Sequence, residues 1–347
     1  MSNPNLTKEL YSPKHLFLVN NLRAISIMGV AIGHLSSYAS TPIIKVIMLM
    51  LLPISMPIFS FGSGFHHSKE VFSNKASFSI ERTIALFFAG FLILAPERGL
   101  IYYFTNGLDL GILYKVLVPS VDNFSLLWYI VAVVIWRLCA PVIVKVKYYM
   151  ILVLALGVSS AFMGDEWYRG LFRYMPFYFL GLNLSWANII KMRISKTKYI
   201  APICLILSAG LAFLLSVVCK IPLSPGNFNE TGIFNYILVT LVYYLISGSI
   251  IFTLFGFFPG RKFKLFTQVG TNCMSVYFLH LYFVVLMAKY AIYPLMDCIG
   301  VNFVTGAIMQ ILILAFTFYV TSLNIFAIYI GKLTNFFYRI IFKQQSA

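Results

Sequence analysis

Apolar stretches about as long as a bilayer is thick recur along the whole chain. They fall at about 17–38, 43–65, 82–104, 124–144, 148–164, 170–188, 199–219, 233–257, 267–293 and 302–331. A transmembrane helix uses about 20 mostly apolar residues, so ten of them in 347 residues leave only short connections and no room for a sizeable soluble domain. Composition agrees, because 60% of the residues are hydrophobic and only 10% charged, whereas about a quarter of a soluble domain is charged. The expected fold is an all-α polytopic membrane protein of about ten transmembrane helices. Residues 1–16 and 332–347 are read as cytoplasmic tails around a single transmembrane domain, 17–331. The polar start, Met1 to Lys14, lacks the charged n-region, apolar core and small-residue site of a cleaved signal peptide. The moderately apolar stretch 107–122 is too short for a span and is expected to be re-entrant or interfacial.

The net charge of +16 would suggest nucleic acid in a soluble protein. Here there is no basic, aromatic-laced soluble module to bind it, and Lys and Arg are instead expected in cytoplasmic loops facing anionic lipid. Sorting them by alternate connections supports this. One set, which includes both tails, carries 17 of the 26 Lys and Arg, and the other carries six: Lys45, Arg98, Lys115, Arg169, Lys220 and Lys289. Seven of the ten acids fall in that second set. The alternation holds along the chain and places both termini in the cytoplasm, in the membrane that bounds it. The five cysteines form no CxxC, and the adjacent His66 and His67 point in different directions, so no metal site is expected. Cys219, at the outer end of the run 199–219, and Cys298, in an outer connection, can both face outward, which leaves a disulfide between them open.

Three basic residues, Arg23, Arg137 and Arg173, lie within the apolar runs. An ionisable side chain there is costly and marks a candidate functional site. Arg137 and Arg173 sit near helix ends and have a second reading as side chains that reach a headgroup. Arg23 has a partner in its own helix, His34, eleven residues on. Eleven residues make three turns plus about 20°, so the two share a face about 16 Å apart. One stripe thus carries a permanent cation in the inner half of the membrane and a proton acceptor in the outer half. Ser26, Gly29 and Gly33 on the same helix permit close packing.

Arg, ten residues, then His in the first span resembles the signature of integral-membrane acyltransferase family 3. Further segments are similar to that family's pattern in its order: Met56-Pro57-Ile58-Phe59 with Ser63-Gly64-Phe65, Leu127-Trp128-Tyr129, Arg173 before Pro176 to Gly181, and Gly270-Thr271-Asn272-Cys273 leading to Tyr277 and His280. There are departures. The family's paired arginines after span two are represented here by Arg82 with Ala85, its usual Ser after the glycine is Cys273, and the soluble esterase-like domain that many members append is not expected after span ten.

The resemblance implies an O-acyltransferase of cell-envelope carbohydrate in the bacterial cytoplasmic membrane. Its donor is acyl-CoA, usually acetyl-CoA, on the cytoplasmic side, with no permanently bound cofactor. Its acceptor is a hydroxyl of an envelope glycan, such as an exopolysaccharide, or of a lipid-linked sugar. His34 is the expected general base, since imidazole titrates near neutrality, and Arg23 is expected at the donor or the thioester oxygen. Arg82, Lys75 and Lys262 are candidates for the CoA phosphates, each with an alternative as an ordinary cytoplasmic charge. Glu97, Asp122, Trp128, Asp165 and Glu166 are candidates for a sugar site, and Arg173, Tyr277 and His280 for the cavity lining. Tyr277 and His280, three apart, share a helix face. The rival classes are a lipid-linked sugar flippase or small-solute carrier, whose pathway the same charges would line, and an export partner in a polysaccharide-synthesis complex. Carriers commonly show internal repeats, and none is visible here.

Overall fold

The computed structural model describes residues 13–36, 53–71, 76–108, 111, 121–163, 168–217, 232–292, 294–295, 298 and 303–342. Every described element is helical, as apolar runs without water to satisfy their backbone require. In chain order the α-helices are α1 (Pro13–Ser36), α2 (Ser55–Val71), α3 (Ala76–Ile93), α4 (Ala95–Asn106), α5 (Val121–Ile143), α6 (Tyr149–Ser159), α7 (Arg169–Arg173), α8 (Met175–Leu182), α9 (Trp186–Ile194), α10 (Ile200–Val217), α11 (Ile233–Phe257), α12 (Lys264–Thr271), α13 (Cys273–Leu281), α14 (Phe303–Thr321) and α15 (Asn324–Ile341). A π-helical segment, Tyr282–Ile292, continues α13.

Among the described residues, four helical stretches are long and apolar enough to cross a bilayer: Leu16–Leu35, Ile80–Asn106, Lys196–Leu214 and Ile233–Phe257. Two bent pairs raise the number to six. α12 meets α13 at 81°, and α14 meets α15 at 55°. The expected spans at 124–144 and 148–164 appear as the shorter apolar helices Leu127–Ile143 and Tyr149–Ser159. The expected span at 170–188 is split between α7 and α8, with Pro176 at the start of α8, where its missing N–H costs nothing. Part of the expected span at 43–65 lies outside the described residues.

Glycines set the helix crossings. A Cβ on Gly64 of α2 would fall 1.8 Å from the Tyr178 carbonyl oxygen of α8, and one on Gly181 would fall 2.1 Å from that of Phe61. The two glycines let the backbones touch, the usual way of packing helices in lipid. Gly270 does the same for α12 against α1, where a Cβ would lie 1.6 Å from the Asn20 carbonyl oxygen.

A helix break inside a membrane leaves carbonyls that need donors. Asn272, between α12 and α13, supplies them to the other break: its Nδ2 donates to the Ser322 carbonyl at 2.7 Å and to Asn324 Oδ1 at 2.8 Å. Gln268 Nε2 donates to the same carbonyl at 3.1 Å, and Ser275 Oγ to that of Thr321 at 2.7 Å. Asn21 of α1 reaches the α11–α12 turn through the carbonyl of Arg261 at 3.0 Å and accepts from Thr267. The main buried cluster fills the space these helices enclose, with Trp136, Tyr178, Phe278 and Leu127 wholly buried. Trp136 satisfies its indole N–H on the Leu171 carbonyl at 2.9 Å. Ile203, Ile206, Leu207 and Phe213 of α10 point outward, each more than half exposed, as on a lipid-facing helix. Cys298 is a free thiol, and Cys219 lies outside the described residues.

Candidate active site

Segments far apart in sequence meet around His34. The last turn of α1 presents His34 as an exposed side chain, with its ring 5.3 Å from that of His280 on α13. His280 is 1% exposed. Its neighbour along the helix, Tyr277, lies 6.3 Å away ring to ring and 6.1 Å from Tyr129 of α5. The Tyr129 hydroxyl donates to the Phe59 carbonyl at 2.9 Å. That uses its one proton, so the Ser63 hydroxyl, 2.7 Å away, donates to the Tyr129 oxygen. The first-span histidine, the α2 segment, the Leu127-Trp128-Tyr129 segment and the glycine-led α12–α13 segment therefore build one cluster. Arg23, half-buried and three turns below His34, lies within electrostatic reach of Tyr129 and Cys273.

A cleft of about 530 Å³ opens beside the break between α12 and α13. Its polar lining comprises Arg82, Thr83, Arg137, Thr271, Asn272, Ser275 and Thr334, and Leu86, Met274, Ile330 and Gly331 supply apolar wall. Arg137 Nη1 donates to Thr83 Oγ1 at 2.6 Å, which holds that guanidinium at the cleft. Cys273, Tyr277 and His280 follow at i, i+4 and i+7 and form one stripe of α13; Met274 and Ser275 stand on the cleft side. The basic, hydroxyl-rich cleft thus borders the start of α13 and the histidine cluster lies further along the same helix. Two guanidiniums in such a cleft suit a phosphorylated ligand.

The remaining candidates fall elsewhere. Lys262 is exposed in the turn between α11 and α12 and is not part of the cleft lining. Lys75, Asp165 and Glu166 lie outside the described residues; Asp122 is described only as backbone of α5. Trp128 packs on Tyr174 at 5.6 Å and covers Gly170. Arg173 donates through Nη2 to Tyr236 at 2.8 Å, and Tyr244 donates to the Arg173 carbonyl at 3.0 Å, so that arginine is engaged by α11. Glu97 and Arg98, placed by their charge at an outer connection, are buried in α4 instead. Arg98 donates to the Phe91 carbonyl at 2.9 Å and lies 4.2 Å above the Phe91 ring. His67, wholly buried, hydrogen-bonds Tyr178. Among the described residues no three His, Cys, Asp or Glu side chains form a metal site. The residue that sequence reasoning undervalued is Arg137. The signal was present, since it is one of only three basic residues that fit no connection.

The sequence profile of the family 3 acyltransferase domain matches residues 18–331 of the chain. The chain belongs to acyltransferase family 3. The match runs from α1 into the first half of α15 and takes in every residue of the histidine cluster and of the basic cleft except Thr334. No curated protein and no solved structure matches the chain. Membership, with the apolar helices, makes this a membrane acyltransferase and does not favour the carrier or flippase reading.

Proposed function

We propose that this acyltransferase moves an acyl group, most simply acetyl, from cytoplasmic acyl-CoA to a hydroxyl of an envelope carbohydrate or lipid-linked sugar outside the bacterial cytoplasmic membrane. The observation that carries the reading is the pairing along α13: a cleft with two arginines at its start and, further along it, an exposed His34 in a cluster of ring side chains. Arg82 and Arg137 take the phosphates of the donor, and the pantetheine arm brings the thioester along α13, past Arg23, to the level of His34. His34 accepts the proton of the acceptor hydroxyl as its oxygen attacks the thioester carbonyl. The C–S bond then breaks and the CoA sulfur leaves, taking up the proton from His34, so the products are an ester and free CoA thiol. Arg23, a fixed cation three turns nearer the cytoplasm in the same stripe, contacts the donor's pantetheine arm. In this reading ten spans, some of them short or broken, carry both termini in the cytoplasm.

Inside-out vesicles supplied with acyl-labelled acetyl-CoA and endogenous glycan test the proposal. Covalent label on lumenal glycan is expected; glycan that is translocated but unlabelled overturns the proposal in favour of a carrier.

A further inference from the structure

His280 is held in one tautomer by its own helix. Its Nδ1 lies 3.0 Å from the Val276 carbonyl oxygen and 2.8 Å from that of Tyr277. Carbonyl oxygens only accept, so Nδ1 carries the hydrogen and, in the neutral ring, Nε2 carries the lone pair. That Nε2 is buried with no hydrogen-bond partner, a state that costs a polar atom about 1–3 kcal/mol. The nearest ring across the helix boundary is His34, at 5.3 Å between centres and 49° between planes. Each imidazole nitrogen lies about 1.1 Å from its ring centre, so an edge-to-edge N–H···N bond of about 3 Å needs centres about 5 Å apart. The spacing is therefore already that of a hydrogen-bonded pair, and a turn of the exposed His34 ring completes it.

We infer that His280 is a positioning residue for the acyl transfer, with its Nε2 accepting the N–H of His34. The inference rests on His34 being the base. Two consequences follow. A neutral imidazole has one N–H and one lone pair, so tying the N–H of His34 to His280 leaves its other nitrogen as the acceptor, turned away from His280 toward the incoming hydroxyl. When His34 takes that hydroxyl's proton, the positive charge formed is stabilised by the lone pair on His280, which stays neutral throughout. His280 thus plays toward His34 the orienting part that a buried carboxylate plays in hydrolytic triads, without adding a buried charge to the membrane.

Two near-isosteric variants separate this role from a structural one. Asn at position 280 reproduces the reach of Nδ1 and keeps the bond to the helix carbonyls but removes the Nε2 acceptor. Gln reaches the Nε2 position and restores an acceptor there. In reconstituted full-length protein, His280→Asn is expected to lower kcat on the order of 10²-fold, with KM for acyl-CoA and acceptor nearly unchanged, and His280→Gln to recover at least a tenth of wild-type kcat. Full activity of His280→Asn, or His280→Gln as inactive as His280→Ala, overturns the inference; the latter would make His280 itself the base. In protein labelled with ¹⁵N-histidine, His280 Nε2 should resonate as a lone-pair-bearing nitrogen and shift when His34 is replaced. A protonated Nε2 contradicts the assignment even for a variant that folds poorly. The His34→Ala variant keeps the two claims apart. If it remains active, the base reading fails; if it is inactive while His280→Asn is active, only the present inference fails.

Discussion

Two arginines meet in the cleft beside α13 from different helices, Arg82 from α3 and Arg137 from α5, and Thr83 holds the second of them. If they bind donor phosphates, each supplies a charge-assisted hydrogen bond worth about 1.5–3 kcal/mol. Arg137→Ala should therefore raise KM for acyl-CoA by about tenfold or more and leave KM for the acceptor unchanged, measured in vesicles with both substrates varied. Thr83→Val removes the hydroxyl that accepts from Arg137 while leaving the guanidinium in place, and should have a smaller effect in the same direction. His34→Ala should lower transfer by about 10² to 10⁴ while the protein still inserts in the membrane. Legibility at this scale divides by range. His34 and Arg23 stand out in the sequence because ionisable groups in apolar runs are rare, and their common face follows from helix geometry alone. The pairing of His34 with His280, 246 positions later, is tertiary and has no local signature. Arg137 was ambiguous for a physical reason: an arginine near a helix end can reach water or turn inward, and its tertiary neighbours, Thr83 among them, decide.

At the scale of elements, the breaks carry more information than the helices. Hydropathy sums composition over a window and reads 267–293 and 302–331 as continuous spans, because one Asn or Ser barely changes the sum. The structure bends both, at 81° and 55°, and joins the bends through Asn272 and the Ser322 carbonyl. Asn272→Ala removes both bonds and leaves Gln268 as the donor to that carbonyl, so it should cost about 0.5–1.5 kcal/mol of stability per bond, seen as a lower unfolding midpoint in detergent. It should also weaken acyl-CoA use, since Asn272 and Ser275 line the cleft. Gly270 was legible as a small residue near the break, but what it touches was not. With Asn20 at 1.6 Å from a would-be Cβ, Gly270→Ala should destabilise by about 1–3 kcal/mol, whereas alanine at Gly331, where nothing lies within 4 Å, should not.

At the scale of the whole molecule, the all-helical membrane fold followed from apolar runs and scarce charge, and the described residues bear it out with four to six spans. The count of ten rests on the apolar runs, with the alternation of Lys and Arg in its support. A cysteine introduced at Lys196, beside the basic 191–198 segment, should be labelled only from the cytoplasmic side. Labelling from outside would invert the orientation and place the arginine cleft where no acyl-CoA is found. Glu97 and Arg98 show why charge sorting alone is incomplete. Both were counted with an outer connection, yet both are buried in α4, where an aromatic ring and a backbone carbonyl receive the arginine. The central claim is that acyl groups enter from the cytoplasmic side and leave on an external hydroxyl through His34. Its most direct test is sided transfer in sealed inside-out vesicles carrying wild-type protein or His34→Ala, with acyl-labelled CoA added outside. The account predicts ester-linked label on lumenal glycan with wild type and none with the variant; equal labelling by the two proteins would contradict it.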